Sequence, residues 1–208
     1  MNRRAMAHTF RSIPMKSILA ALAATCTFAL GACGGAPSEK PPLEGAAIGG
    51  DFTLTGKDGR PVKWSDFAGK YRIVYFGYTF CPDVCPLDMQ NIAQGLRLFA
   101  KDNPGAKPIV PIFITIDPAR DTAEVVGKYA ANFGPNVVGL TGSPDQIADV
   151  AKKWAVFYQK RDGAKPDAYL MDHSRASYLM GPDGEAIALL PSEQDGKAVA
   201  AELAKWVR

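Results

Sequence analysis

Histidine is almost missing from this chain, whose 208 residues hold two, His8 and His173. Beyond residue 32 only His173 is left, so a metal site there has a single imidazole to draw on. Lys/Arg clusters and ladders of aromatic residues are also missing, which excludes nucleic acid as an expected partner. No apolar stretch reaches the ~20 residues of a comfortable bilayer span. The longest, Ile18 to Leu30, is short and interrupted by Thr25, Cys26 and Thr27, which argues against a permanent transmembrane helix. Cysteine is scarce, and its four positions are Cys26, Cys33, Cys81 and Cys85.

What is present begins with an export signal. Arg3, Arg4, Arg11 and Lys16 precede any acid, the apolar run follows, and Leu30-Gly31-Ala32-Cys33 closes it with small residues. Basic, apolar, then small is the order of a secretory signal, expected over residues 1–32. Its last four residues resemble the lipobox of bacterial lipoproteins, which implies lipid attachment at Cys33 and a domain tethered to a membrane. The alternative is cleavage in Gly34-Gly35-Ala36, leaving a soluble exported protein. Removal of residues 1–32 takes four cations and no acid, turning a formal charge of +3 into −1. The apparent basicity therefore belongs to the signal. Residues 33–50, with Pro37, Pro41, Pro42 and several glycines, read as a flexible tether.

The domain expected over residues 51–208 alternates strands and helices. Phe52 to Thr55 and Pro61 to Trp64 flank an Asp58-Gly59 turn, predicting an N-terminal hairpin. Tyr71 to Tyr78 and Ile109 to Ile116 are nearly continuous apolar runs, as in strands covered on both faces. Between them, Met89, Ile92, Leu96 and Phe99 mark an amphipathic helix over Leu87 to Ala100. A second helix is expected from Asp121 to Phe133, then a short strand over Val137 to Leu140. Ser143-Pro144-Asp145-Gln146 supplies an N-cap, a first-turn proline and a capping-box glutamine for a helix running to about Phe157. Trp154 and Phe157 are expected in the core, and Gln159 to Asp167 as a polar loop. A hairpin over Ala176 to Leu190 and a helix over Lys197 to Val207 complete the chain. This order predicts an α/β fold with a mixed central sheet and helices on both faces. A cysteine pair between the first strong strand and its helix makes the layout thioredoxin-like.

Cys26 leaves with the signal and Cys33 takes the lipid, so Cys81 and Cys85 are the thiols of the domain. A structural disulfide is the usual role for two cysteines in an exported protein. A bridge closing so short a loop removes little unfolded-state entropy, however, so the pair suits switching better than stapling. At a helix N-terminus a thiolate meets the positive end of the macrodipole, which lowers its pKa. Three residues, Pro82, Asp83 and Val84, separate the cysteines where the usual redox spacing has two. Two thiolates form a soft site that favours monovalent copper or zinc. His173 is the candidate third ligand, with Asp172 placed to orient its ring.

Three blocks carry a family resemblance: Gly77-Tyr78-Thr79-Phe80-Cys81-Pro82-Asp83-Val84-Cys85-Pro86, Ile114 through Thr122, and Asp172-His173-Ser174 with Tyr178-Leu179 and Gly181-Pro182-Asp183-Gly184. In these blocks the chain resembles the SCO/SenC copper-binding proteins from roughly Ile48 to its C-terminus. The resemblance implies a thioredoxin fold facing the periplasm from a membrane. It implies copper, as Cu(I) or Cu(II), held by Cys81, Cys85 and His173. The role it implies is delivery of copper to, or reduction of, the dinuclear copper site of cytochrome c oxidase. Its partners would be the copper-accepting oxidase subunit, a periplasmic copper donor and a thiol reductant. The leading expectation is a non-enzymatic metallochaperone. The alternative is a thiol-disulfide reductase using the redox-active pair Cys81 and Cys85, and a thiol peroxidase is a third. Members often carry histidine just before the first cysteine, where this chain has Phe80. For Asp117, Arg120 and Asp121 helix capping and ion pairing beneath the site are expected.

Overall fold

A five-stranded sheet, present in a computed structural model that describes residues 39–163 and 168–208, organises the chain. Its central strand is β3 (Tyr71–Gly77), flanked by β4 (Ile109–Thr115) and then β5 (Val138–Leu140) on one side, and by β8 (Ser177–Met180) and β9 (Ala186–Leu189) on the other. Strands β3, β4 and β5 run parallel, whereas β8 and β9 are antiparallel to their neighbours. The α-helices among the described residues are α1 (Val84–Asp102), α2 (Ala123–Ala131), α3 (Pro144–Lys153) and α4 (Gly196–Trp206). The layout is the thioredoxin-like mixed sheet that the order of elements predicts.

Every residue of β3 is buried, because the sheet is covered on both sides and its alternating side chains each meet a layer. On one face Tyr75 reaches Asp88 of α1 and stacks on Phe113 of β4, which in turn meets Tyr129 of α2. Helices α1 and α4 pack together there so closely that a Cβ on Gly95 would lie 2.4 Å from Val199. On the other face Phe76 packs on Trp154, which also meets Trp64 and Tyr178. Here the antiparallel hairpin of β1 (Thr53–Thr55) and β2 (Pro61–Lys63) closes the layer. Arg72, buried on the same face, lies 4.3 Å above the Trp64 ring and donates to the Gly181 carbonyl.

Several local expectations are corrected. The segment from Lys40, expected as part of a tether, belongs to the same compact unit as the domain. Leu43 and Ile48 pack against the core, and the Leu43 and Gly49 amides donate to the Ile187 and Lys153 carbonyls. Two apolar side chains and these backbone bonds outweigh the flexibility suggested by proline and glycine content. Helix α3 has its capping box of Ser143 and Gln146 but stops at Lys153, since Ala155 turns left-handed at φ 53°. Trp154 is therefore core while Phe157, beyond the turn, is 59% exposed. The stretch expected as a polar loop contains a strand, β6 (Tyr158–Arg161), paired antiparallel with β7 (Leu170–His173). This two-stranded ribbon stands outside the main sheet, and although Tyr158 and Met171 pack on the core, its mostly polar sequence carries too little alternation to mark it. The expected signal over residues 1–32 and the lipid-attachment residue Cys33 lie outside the described residues. Among the described residues no helix is long and apolar enough to cross a membrane.

Candidate metal centre

The site is built where β3 ends. Gly77 must be glycine: a Cβ there would come within 3.1 Å of Cys85 Sγ and of the Phe113 ring. The chain then turns through Thr79 and Phe80 and enters α1 at Val84. Cys81 thus lies in the turn before the helix and Cys85 within its first turn. The N-cap Asp83 makes no side-chain capping bond, and the Cys85 amide donates instead to Cys81 Sγ at 3.4 Å. The sulfur serves as acceptor for one of the helix's otherwise unpaired N–H groups.

The turn is anchored from below. Asp121, fully buried, accepts from the Thr79 amide at 3.0 Å and from the Thr79 and Thr115 hydroxyls at 2.5 Å each. Burial raises its pKa, and these hydrogen bonds oppose that rise. The cap of α2 is Thr122, whose side chain accepts from the Val125 amide, so Asp121 ties two loops together instead of capping the helix. Asp117 pairs with Arg120 at 2.6 Å and accepts from the Tyr169 hydroxyl at 2.8 Å. Arg120 lies 3.5 Å from the Tyr169 ring centroid and 4.7 Å from that of Phe80. Phe80 is thereby part of an aromatic and guanidinium stack beside the site.

His173 arrives from the end of β7, 88 residues beyond Cys85, and its Nε2 lies 3.3 Å from Cys85 Sγ. Its Nδ1 is 2.9 Å from the Ser174 carbonyl. A carbonyl oxygen only accepts, so Nδ1 carries the proton and Nε2 presents its lone pair to the sulfur. The expected orienting residue, Asp172, instead pairs with Arg161 across the ribbon. Adjacent strand residues point to opposite sides, so when His173 faces the sulfurs its neighbour cannot. Tyr75 and Tyr78 hold the ring edge-on, with centroids 6.4 and 6.0 Å away.

Both cysteines are free thiols, Cys85 buried and Cys81 partly exposed. Hydrogen bonding from Cys85 holds the Cys81 thiol well below the ordinary range against the opposing effect of burial, with the Asp83 and Cys85 backbone adding to the effect. Cys85 is pushed the opposite way, first by its bond to Cys81 and then by burial. The pair thus gives up its first proton readily, from Cys81, and holds the second. A depressed pKa keeps the thiolate populated on the acid side of an ordinary thiol. Alkylation of reduced protein, followed by mass spectrometry across pH 5–8, should label Cys81 at every pH and Cys85 only after unfolding.

The three donors are adjacent without being closed around a point. Among the described residues, no trio of His, Cys, Asp or Glu side chains already has the arrangement of a metal cage. The Cys85–His173 separation nevertheless matches donors that share one ion at ~2.0–2.3 Å each. A second feature was not foreseen from the sequence. Asp88 accepts from the Tyr75 hydroxyl and forms a two-pronged ion pair with Arg175. The only sequence signal was a charge of each sign a few residues beyond Cys85 and His173. An apolar cavity of 430 Å³ opens at the far end of α1, between Leu96, Phe99, Ile109 and Phe133, and includes none of the three donors.

The chain is similar to known proteins. A family described as SCO1/SenC matches residues 40–208. The mitochondrial SCO1 homolog 1 of Arabidopsis thaliana is 39% identical over 173 residues, covering 83% of this chain and 51% of that protein. The chain thus spans about half the length of this curated relative. The crystal structure of Arabidopsis thaliana ScoI with copper bound superposes with a TM-score of 0.71 at 36% identity, covering 76% of this chain and 96% of that one. Copper-bound ScoI of Bradyrhizobium japonicum gives 0.68 at 36% identity, covering 76% and 99%. With its family match extending over the whole described domain, the chain belongs to the SCO1/SenC family.

Proposed function

We propose that this protein is a copper carrier whose cargo is held by the thiolates of Cys81 and Cys85 and by His173 Nε2. The observation that carries this reading is the approach of His173 Nε2 to Cys85 Sγ at 3.3 Å, with Nδ1 committed to a backbone carbonyl. Two soft sulfurs and one unprotonated imidazole nitrogen are a donor set suited to copper. The partial exposure of Cys81 leaves one donor accessible to an incoming thiol, as ligand exchange between proteins requires. Solved relatives with copper bound support the same cargo. The acceptor in this reading is the dinuclear copper site of cytochrome c oxidase. The domain works from the periplasmic face of a membrane, held there through Cys33.

Fully reduced protein should bind one copper per chain in competition with a Cu(I) chelator. Absence of binding under those conditions defeats the carrier reading. One observation favours the reductase alternative: a partly exposed Cys81 with a depressed pKa beside a buried Cys85 is the division of labour of an attacking and a resolving thiol. Turnover on an oxidised dithiol acceptor without metal distinguishes it from the carrier.

A further inference from the structure

Asp88 is a wholly buried carboxylate three residues past Cys85, and Arg175 is the second residue past His173. Arg175 Nε and Nη2 donate to the two Asp88 oxygens at 2.7 and 2.6 Å, and the Tyr75 hydroxyl donates at 2.9 Å. Tyr75 in turn faces the His173 ring edge-on. This group joins the thiol helix to the loop carrying the histidine. The connection matters at the histidine end of the loop, because among the described residues β7 pairs with β6 alone, in a ribbon outside the main sheet, and residues 174–176 belong to no strand. Its N-terminal end is also held by the reciprocal contact of Ser174 with the Phe157 backbone, at an exposed edge, and its far end by Ala176 packing on the core before β8 begins at Ser177. A planar guanidinium gripping both carboxylate oxygens fixes direction as well as distance, which one ammonium cannot do.

We infer that Asp88 and Arg175 are positioning residues, a clamp that keeps His173 Nε2 against the Cys81–Cys85 pair and so sets how well the site holds Cu(II) relative to Cu(I). The inference rests on the copper-carrier reading for its consequence, though not for the placement of the ring. Tyr75, which also interacts with Cys85, is kept in every variant below, so the clamp is read through the histidine. Cu(I), which two thiolates satisfy, should be nearly indifferent to it, whereas Cu(II) should feel loss of an imidazole held in place. Outer partners of metal ligands are generally worth roughly 10- to 100-fold in affinity.

Removing one member would strand a buried charge, so the test uses the neutral pair Asp88→Asn with Arg175→Met, and Arg175→Lys as a milder second variant. Folding is checked by circular dichroism. In metal-free reduced protein, the ring-nitrogen NMR shifts of His173 should show a fixed Nδ1–H form in wild type and averaged forms in the double variant. Cu(II) affinity, measured against a Cu(II) chelator, should fall about 10- to 100-fold with Cu(I) affinity nearly unchanged. Arg175→Lys should fall between. In a His173→Ala background the same substitutions should change nothing further. Unaltered ring shifts in the folded double variant would overturn the clamp, as would an equal loss of affinity with and without His173. Should wild type bind neither Cu(I) nor Cu(II), the carrier reading is what fails; there, and where Cu(II) alone is not bound, the ring shifts decide the clamp: averaging supports it and constancy refutes it.

Discussion

Replacing Cys85 by alanine is expected to abolish tight copper binding in both oxidation states. Cys85 is the hub of the constellation: its sulfur faces His173 Nε2 at 3.3 Å, and its amide donates to Cys81 Sγ. Without it one sulfur and one nitrogen remain, one soft donor short of the set that holds copper. The loss should exceed the roughly 10- to 100-fold that removal of an outer partner costs. Chelator competition reads this directly. The fold should survive, because the side chain removed is small and Gly77 and Phe113 around it stay in place. A Cys85→Ala protein that held Cu(I) as wild type does would refute the assignment of the site. The same substitution also separates roles, since a lone Cys81 can form mixed disulfides yet cannot resolve them.

His173→Ala is expected to separate the two oxidation states. Cu(II), which prefers nitrogen alongside sulfur, should bind at least about 100-fold more weakly, beyond the range typical of outer partners. Its thiolate-to-copper absorption should be displaced or lost. Cu(I) should lose much less, because the dithiolate remains. The ring carries little of the structure: its Nδ1 bond is to the adjacent residue and its aromatic contacts are edge-on. Equal weakening of Cu(I) and Cu(II) would indicate that the histidine serves the fold or the sulfurs rather than the metal.

These expectations could be framed from the chain alone only in part. The two cysteines and the histidine were legible because residue types with distinct chemistry are few, and because Cys81 and Cys85 fall where a buried strand meets a helix. The sheet was legible for a related reason. Tyr71 to Gly77 and Ile109 to Thr115 are apolar without alternation, and only a strand covered on both faces uses such a run. The ribbon of β6 and β7 was not legible, since the face it turns inward carries Tyr158 and Met171 beside the polar Lys160 and His173 and shows no apolar alternation. Nor was the Asp88–Arg175 pair, because ordinary helix reading assigns a charged residue to the solvent side. At that position α1 faces the returning loop instead.

The sequence by itself determined the thioredoxin-like order of elements, the soft donor types and their separation along the chain, all properties of local pattern and composition. Only the tertiary structure decided which groups meet. Cys81 sits in a turn and caps the helix through its sulfur. Ser174 rather than Asp172 orients the imidazole, and an ion pair 87 residues apart in sequence joins thiol helix to histidine loop. The physical reason is that side-chain direction in a strand reverses at every residue. Contact across many tens of residues depends on how layers stack, which no local window of the chain contains.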